Sequence, residues 1–320
     1  IISCKDDEIR FKVPAPVEGE SFGEKAVVFS MFGLDISAGT FVVYETPTVT
    51  SIRSKNILSS VLAKVGDVVV ITGTQLERTE KIWFGETEVT EKISASDESM
   101  EVKVPVGFSG GKVKLKFEGI PTVYEGVELK ALVNGTDISE YVLKNNKQPF
   151  ERDEATAKEW ATASDWKYNS TFRGNGGTLQ YPGKTGDPAE GVIALLKWGK
   201  QNYNGKMYQA FKLPKGKYDV ELTVNAVGGS LGNYKAFFVV SSGTEEKDIP
   251  DLNWGTWTSN TDKILKDFDI TGKTAVSYPY TEKLSVDLTE EENDVIISFV
   301  TYLKGSLWIT ASSVLIKYVE

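Results

Sequence analysis

Strand-like runs with apolar residues facing one way recur along most of this chain. Val68-Val69-Val70-Ile71, Val113-Lys114-Leu115-Lys116-Phe117 and Tyr218-Asp219-Val220-Glu221-Leu222-Thr223-Val224 are the clearest. A period of two sends successive side chains to opposite faces of a pleated strand, and the Gly, Asn and Pro between the runs supply turns. The pattern predicts an all-β chain. Only residues 153–163, DEATAKEWATA, have helix-forming composition of useful length, behind an acidic start that suits a helix N-terminus. One short helix is expected there.

The first 130 residues contain a repeat. Ile2-Ser3-Cys4-Lys5-Asp6-Asp7-Glu8-Ile9-Arg10-Phe11-Lys12-Val13-Pro14 aligns without a gap on Ile93-Ser94-Ala95-Ser96-Asp97-Glu98-Ser99-Met100-Glu101-Val102-Lys103-Val104-Pro105. After a longer loop in the first copy, Val27, Phe29, Met31 and Gly33 fall opposite Val113, Leu115, Phe117 and Gly119. Residues 41–44 then fall opposite 127–130. Two copies of one β-unit are expected, the first without its front half.

The complete copy carries Pro47-Thr48-Val49-Thr50-Ser51-Ile52, then Val65-Gly66-Asp67-Val68-Val69-Val70-Ile71-Thr72-Gly73-Thr74-Gln75-Leu76, then Ile82-Trp83-Phe84-Gly85. In this order the segments resemble an IPT/TIG immunoglobulin-like domain over residues 46–131, with Leu76 where an aromatic is usual and Trp83 where a small aliphatic is common. Glycines suit turns that need positive φ, and alternating apolar residues suit an inter-sheet core. Ile1 to Glu8 also resembles a bacterial lipobox followed by the acidic export signal of Bacteroidetes surface lipoproteins. The internal repeat favours the strand reading, because Ala95 stands opposite Cys4.

Composition narrows the chemistry. In 320 residues there is no histidine and a single cysteine. Ser-His-Asp triads, Cys-His pairs and histidine-ligated metals are therefore excluded, as is an internal disulfide. A net charge of −9 disfavours nucleic acid as a partner. No apolar run reaches the roughly 20 residues of a membrane-spanning helix. Glycoside hydrolysis by two carboxylates needs no histidine and stays open as the enzyme alternative. The acidic runs Glu151-Arg152-Asp153-Glu154 and Glu290-Glu291-Glu292 read as solvated surface. No EF-hand-like spacing is present, so no metal and no cofactor are assigned, and a structural calcium in a loop stays open.

From about residue 133 the composition shifts toward Trp, Tyr, Asn and Gly. Residues 191–211, GVIALLKWGKQNYNGKMYQAF, lead into Leu213-Pro214-Lys215-Gly216-Lys217-Tyr218. This sequence resembles galactose-binding-like jelly rolls of Bacteroidetes surface proteins, including a family known only as a domain of unknown function. Pro214 and Gly216 are expected to turn a corner with Tyr218 packed beneath. Residues 295–301 and 307–318 read as two final antiparallel strands.

Sugar recognition needs flat apolar faces and planar hydrogen-bonding groups. The loop Asp251-Leu252-Asn253-Trp254-Gly255-Thr256-Trp257 is the first candidate, with Asp251 or Asn253 orienting a hydroxyl beside Trp254 or Trp257. Either tryptophan could instead plug the sandwich. Trp166-Lys167-Tyr168-Asn169 with Arg173, Asn175 and Tyr181 forms a second cluster, and Gln201-Asn202-Tyr203-Asn204 a third, in which Asn202 and Tyr203 are expected in an exposed turn. Trp166 and Trp198 read as core, and Tyr278-Pro279-Tyr280 reads equally as groove or rigid loop.

The expected organisation is the end of a TIG domain at 1–45, a complete one at 46–131, a linker at 132–150 and a jelly roll at 151–320. The resemblance implies a non-catalytic glycan-binding protein on the outer face of an outer membrane, tethered by an upstream lipid anchor. It would bind a polysaccharide or oligosaccharide and work beside other outer-membrane uptake proteins. A cell-adhesion or protein-interaction module is the alternative.

Overall fold

The computed structural model describes residues 3–5, 8–10, 23–43, 45–153, 160–172, 179–180, 191–197, 201–229, 234–273, 277–304 and 307–320. Its regular structure is antiparallel β almost throughout, as the alternation predicts.

Strands β1 (Ser3–Lys5) and β2 (Glu8–Arg10) pair with each other, and so do β3 (Gly23–Met31) and β4 (Leu34–Val43). The immunoglobulin-like unit follows. Its strands are β5 (Thr48–Ser54), β6 (Leu62–Ala63), β7 (Val68–Thr74), β8 (Thr79–Phe84), β9 (Thr87–Glu88), β10 (Lys92–Ala95), β11 (Ser99–Lys103), β12 (Gly111–Phe117) and β13 (Val123–Ala131). They form two sheets in the orders β10-β11-β7-β5 and β6-β13-β12-β8-β9. Val69, Ile71, Ile82, Phe84, Met100, Val102, Val113 and Leu115, the inward half of each alternation, close the core between them.

The repeat is visible in pairing register. Cys4 faces Ile9 and Ser3 faces Arg10, just as Ala95 faces Met100 and Ser94 faces Glu101. The second hairpin diverges: Phe29 faces Ile36, whereas the equivalent Leu115 faces Tyr124. The β3–β4 turn contains only Phe32 and Gly33, both at positive φ, while the β12–β13 connection is longer. Turn length sets register, so two copies with aligned sequences pair differently.

Residues 132–150, expected as a linker, pack into the second unit. They include helix α1 (Ser139–Val142), and Ile138, Leu143 and Phe150 are buried in the jelly-roll core. Gly135 N donates to Tyr318 O, Ile138 N to Ile316 O and Gln148 N to Ser312 O, each at 2.8 Å. Leu58 and Leu62 join the same apolar cluster from the immunoglobulin-like side, beside Leu132 at the start of this segment.

The jelly roll contains β14 (Trp160–Ala161), β15 (Lys167–Tyr168), β16 (Leu179–Gln180), β17 (Val192–Lys197), β18 (Gln201–Gly228), β19 (Lys235–Ser242), β20 (Asp251–Asn253), β21 (Thr256–Ser259), β22 (Ile264–Asp269), β23 (Tyr280–Lys304) and β24 (Leu307–Val319). Strands β18 and β23 are long enough to serve both layers. Layer I pairs the first half of β18 with β15 and with the second half of β23, followed by β19 and β22. Layer II pairs the second half of β18 with the first half of β23 and with β24, followed by β17, β16 and β14.

The chain passes between layers at the expected corner. The register breaks between Pro214 and Gly216, Gly216 sits at φ 155, and the fully buried Tyr218 donates its hydroxyl to Pro214 O at 2.9 Å. The two closing strands do not pair with each other. Both flank β18, because the chain crosses from layer I to layer II between β23 and β24.

The expected helix at 153–163 is also corrected. Trp160–Ala161 is strand β14, Ala163 bridges to Arg152, and Asp153 N bonds Thr162 O at 3.0 Å. Sheet pairing overrides the local helix propensity of the part that is described. Residues 154–159 lie outside the described residues.

Candidate functional site

Strand β23 alternates between two environments. Val295, Ile297 and Phe299 face the core between the layers, whereas Ile296, Val300 and Tyr302 face outward from layer I. That outer face is covered by the chain between β19 and β22, which folds back as the β20–β21 hairpin. Tyr208, Val239, Ile249 and Leu252 complete a small apolar cluster beneath this cap.

The hairpin tip presents Trp254. Asn253 pairs with Thr256, so the turn itself contains only Trp254 at φ 48 and Gly255 at φ 79. Two positive φ values mark a type I′ turn, whose twist matches the flanking strands. Glycine suits it; tryptophan does not. A non-glycine residue held in this region costs on the order of 1–3 kcal/mol. Trp254 is nevertheless 54% exposed.

Beneath it runs a row of rings. Trp254 lies 5.1 Å from Tyr302 and 6.1 Å from Tyr234, centre to centre, and Tyr302 stacks on Tyr203 at 4.4 Å and 17°. Tyr203, Tyr302 and Lys235 are cross-strand neighbours on β18, β23 and β19. Lys235 in turn pairs with Asp269 at 2.5 Å. The site is thus an aromatic shelf, half-exposed at its outer end and bordered by a charge pair.

A polar hub fixes the hairpin to the sheet. Asp251 Oδ1 accepts from Asn204 Nδ2 and lies 2.7 Å from the ammonium of Lys206, while Oδ2 accepts from Ser259 at 2.7 Å. Lys206 is buried and also donates to Ile249 O at 2.8 Å. Asn204, at φ 52 beside a break in register, receives Leu252 N at 3.0 Å. Partial burial raises the Asp251 pKa, but the bonds from Lys206, Asn204 and Ser259 and the Lys206 charge outweigh it and hold the carboxyl at about 2. Asp248, bonded by Lys263 and by the backbone N–H groups of Thr244 and Glu245, is likewise held at about 2.

Several expectations change in this light. Trp254 and Asn253 are exposed at the tip, but Trp257 is half-buried, with its ring 4.7 Å from Phe237 and its Nε1 donating to Asp267 at 3.0 Å. Both oxygens of Asp251 already serve the fold, through Asn204, Lys206 and Ser259. Tyr203 and Asn202 lie within β18, not in a turn, and the side chain of Asn202 is outside the described residues, as are Arg173, Tyr181 and Trp198. Trp166 is core: 4% exposed, it donates to Asn145 O at 2.9 Å. Tyr278 and Tyr280 pack against the main core, and Tyr280 meets Phe268 edge-on.

Tyr302, Tyr234 and Lys206 are absent from the site read in the sequence, whereas Asn204 stood there in one cluster with Asn202 and Tyr203. Tyr302 has a legible signal, as the outward residue between inward Thr301 and Leu303. Tyr234 and Lys206 follow only from which strands meet.

A family model described as a domain of unknown function, DUF5013, matches residues 144–288. Among curated proteins, none matches the chain in sequence. Among solved structures, similarity extends to the K3 cleaved adhesin domain of Lys-gingipain from Porphyromonas gingivalis. It is 15% identical at a TM-score of 0.31, covering 53% of this chain and 99% of that one. SGBP-B from a complex xyloglucan utilization locus in Bacteroides uniformis is 10% identical at a TM-score of 0.25, covering 97% and 82%. The CBM22-1 xylan-binding domain from Paenibacillus barcinonensis is 10% identical at 0.32, covering 59% and 97%.

Proposed function

We propose that the jelly roll is a non-catalytic carbohydrate-binding module, with Trp254 as the stacking face and Tyr302, Tyr203 and Tyr234 as its support. The observation that carries this reading is the exposed indole at a turn whose backbone disfavours it. A protein holds a large ring in a strained, solvent-facing position where the ring does work there. A pyranose offers an apolar C–H face to such a ring and hydroxyls at its rim. Asn253, exposed beside the ring, supplies an amide for those hydroxyls.

The hub of Asp251, Lys206 and Asn204 keeps the hairpin fixed before ligand arrives, which lowers the entropy lost on binding. In the same reading the immunoglobulin-like unit is a spacer that holds the module away from an anchored end at the cell surface. The shared apolar cluster of Leu58, Leu62 and Leu132 with the jelly-roll core supports a stiff joint.

The test is affinity electrophoresis of the full chain in gels containing soluble polysaccharides, beside Trp254→Ala. Retention of the parent and loss in the variant at unchanged melting temperature supports the reading. Equal retention of both rejects Trp254 as the platform.

A further inference from the structure

From residue 151 onward, among the residues whose burial is described, two large apolar side chains are exposed, and both are tryptophans: Trp254 and, at 41%, Trp308. Where their burial is described, the Leu, Ile, Val, Phe, Met and Tyr residues of this unit are all at least partly buried. Leftover surface apolarity has no reason to fall on the two largest rings alone.

Trp308 precedes Ile309, which is buried in the core, so strand alternation turns the indole to the outer face of layer II. Trp254 and Tyr302 occupy the outer face of layer I, with the whole sandwich between. On neighbouring strands Trp308 faces Gly228 and Leu196. A methyl group at Gly228 would lie 2.3 to 2.4 Å from Cε2, Cζ2 and Nε1 of the indole. The ring therefore rests on the bare backbone of Gly228 along one side.

Thr310 and Ala194, which share this outer face on the β17 side, are buried, so the open part of the face is its β18–β23 side, where the strands carry hydroxyls and charge pairs. Thr223 Oγ1 lies 3.0 Å from Thr281 Oγ1 and receives Ser313 Oγ at 2.9 Å. Beyond them are Lys317 with Glu221 at 2.8 Å and Lys283 with Asp219 at 3.0 Å. At about 3.3 Å per residue, Trp308 and Ser313 are some 15 Å apart, about three sugar units. An apolar plate followed by hydroxyls and planar groups fits an extended glycan better than an apolar protein surface.

We propose that Trp308 begins a second glycan-binding track, on the face of the jelly roll opposite Trp254, with Thr223, Thr281 and Ser313 alongside. This rests on the carbohydrate-binding reading given above. Two tracks on opposite faces bind two chains, or two stretches of one long chain, and raise retention by avidity.

The test uses the full chain in gels of xyloglucan, mixed-linkage β-glucan, galactomannan and xylan, then calorimetry with a heptasaccharide of whichever polysaccharide retains it. Two oligosaccharides per chain are expected, falling to one in Trp308→Ala and one in Trp254→Ala, and to none in the double variant. Gly228→Val, which displaces the indole without removing it, should read as Trp308→Ala does and guards against a variant that misfolds. A stoichiometry of one, or of two that neither Trp308→Ala nor Gly228→Val lowers, overturns the second track while leaving the first intact. No retention by any of the four polysaccharides overturns the carbohydrate reading and the second track with it.

Discussion

The carboxylate of Asp251 lies 2.7 Å from the ammonium of Lys206, a lysine that exposes only 4% of its surface. Asp251 is thus the counter-charge that lets a cation sit under the cap. Asp251→Asn should destabilise the protein by about 1 to 3 kcal/mol, below the range for a fully buried pair because the aspartate keeps partial solvent access. Replacing Lys206 by Met as well removes the unpaired charge and should recover part of that loss. Urea unfolding of both variants checks the pair, and equal stability of Asp251→Asn and parent would show the hub to be dispensable.

Acid should act on the same cap. Asp248 and Asp251 are held near 2, below the ordinary aspartate value of 3.8. A depressed folded pKa contributes stability that is complete above the unfolded value and is lost as pH falls toward the folded one. The melting temperature should therefore drop between about pH 4 and pH 2. The chain contains no histidine, so no side chain of ordinary pKa titrates between about 5 and 8, and stability should stay nearly level there. In Asp248→Asn with Asp251→Asn, the acid slope should shrink.

Trp254 and Trp257 should respond in opposite ways. Trp254→Asn creates Asn-Gly, the preferred pair for a type I′ turn, and relieves the tryptophan's left-handed backbone. The melting temperature should not fall and stability should gain up to about 1 kcal/mol, while glycan retention is lost. Trp257→Ala removes a half-buried ring and its bond to Asp267, and should cost about 2 to 3 kcal/mol, less than a fully buried tryptophan. Calorimetric melting and gel retention of the two variants separate platform from plug. A large loss of stability in Trp254→Asn would return Trp254 to a packing role.

Alternation made the sheets legible, and Pro214, Gly216 and Tyr218 made the corner legible, because those signals are local. The β1–β2 register could be read from the repeat for the same reason. The β3–β4 register could not, since it follows from turn length and not from the aligned residues. Trp254 stood out as an aromatic among small polar residues, yet nothing local told it from Trp257 three positions on. That distinction arises from Phe237 and Asp267 beneath one ring and solvent above the other. The structural role of Asp251 was not legible, because its partners Asn204 and Lys206 arrive from β18. The helix expected at 153–163 failed in its last turn for a similar reason, as partner strands took the backbone.

The boundary of the folding unit yields the last prediction. A jelly roll cut at residue 151 keeps every strand from β14 to β24 but discards Ile138, Leu143 and Phe150, all 3% exposed or less and all within its core. It also discards the backbone bonds from residues 135, 138 and 148 to β24. Removing large apolar side chains from a packed core costs about 2 to 5 kcal/mol each, so three together exceed the stability margin of most domains. A fragment of 151–320 should be insoluble or molten. A fragment of 132–320 keeps these residues and loses only Leu58 and Leu62 from the shared cluster, so it should fold cooperatively at a lower melting temperature than the full chain. Near-ultraviolet circular dichroism and thermal melts of the two fragments decide the matter, and a cooperatively folded 151–320 would show that the preceding segment is an accessory and not part of the core.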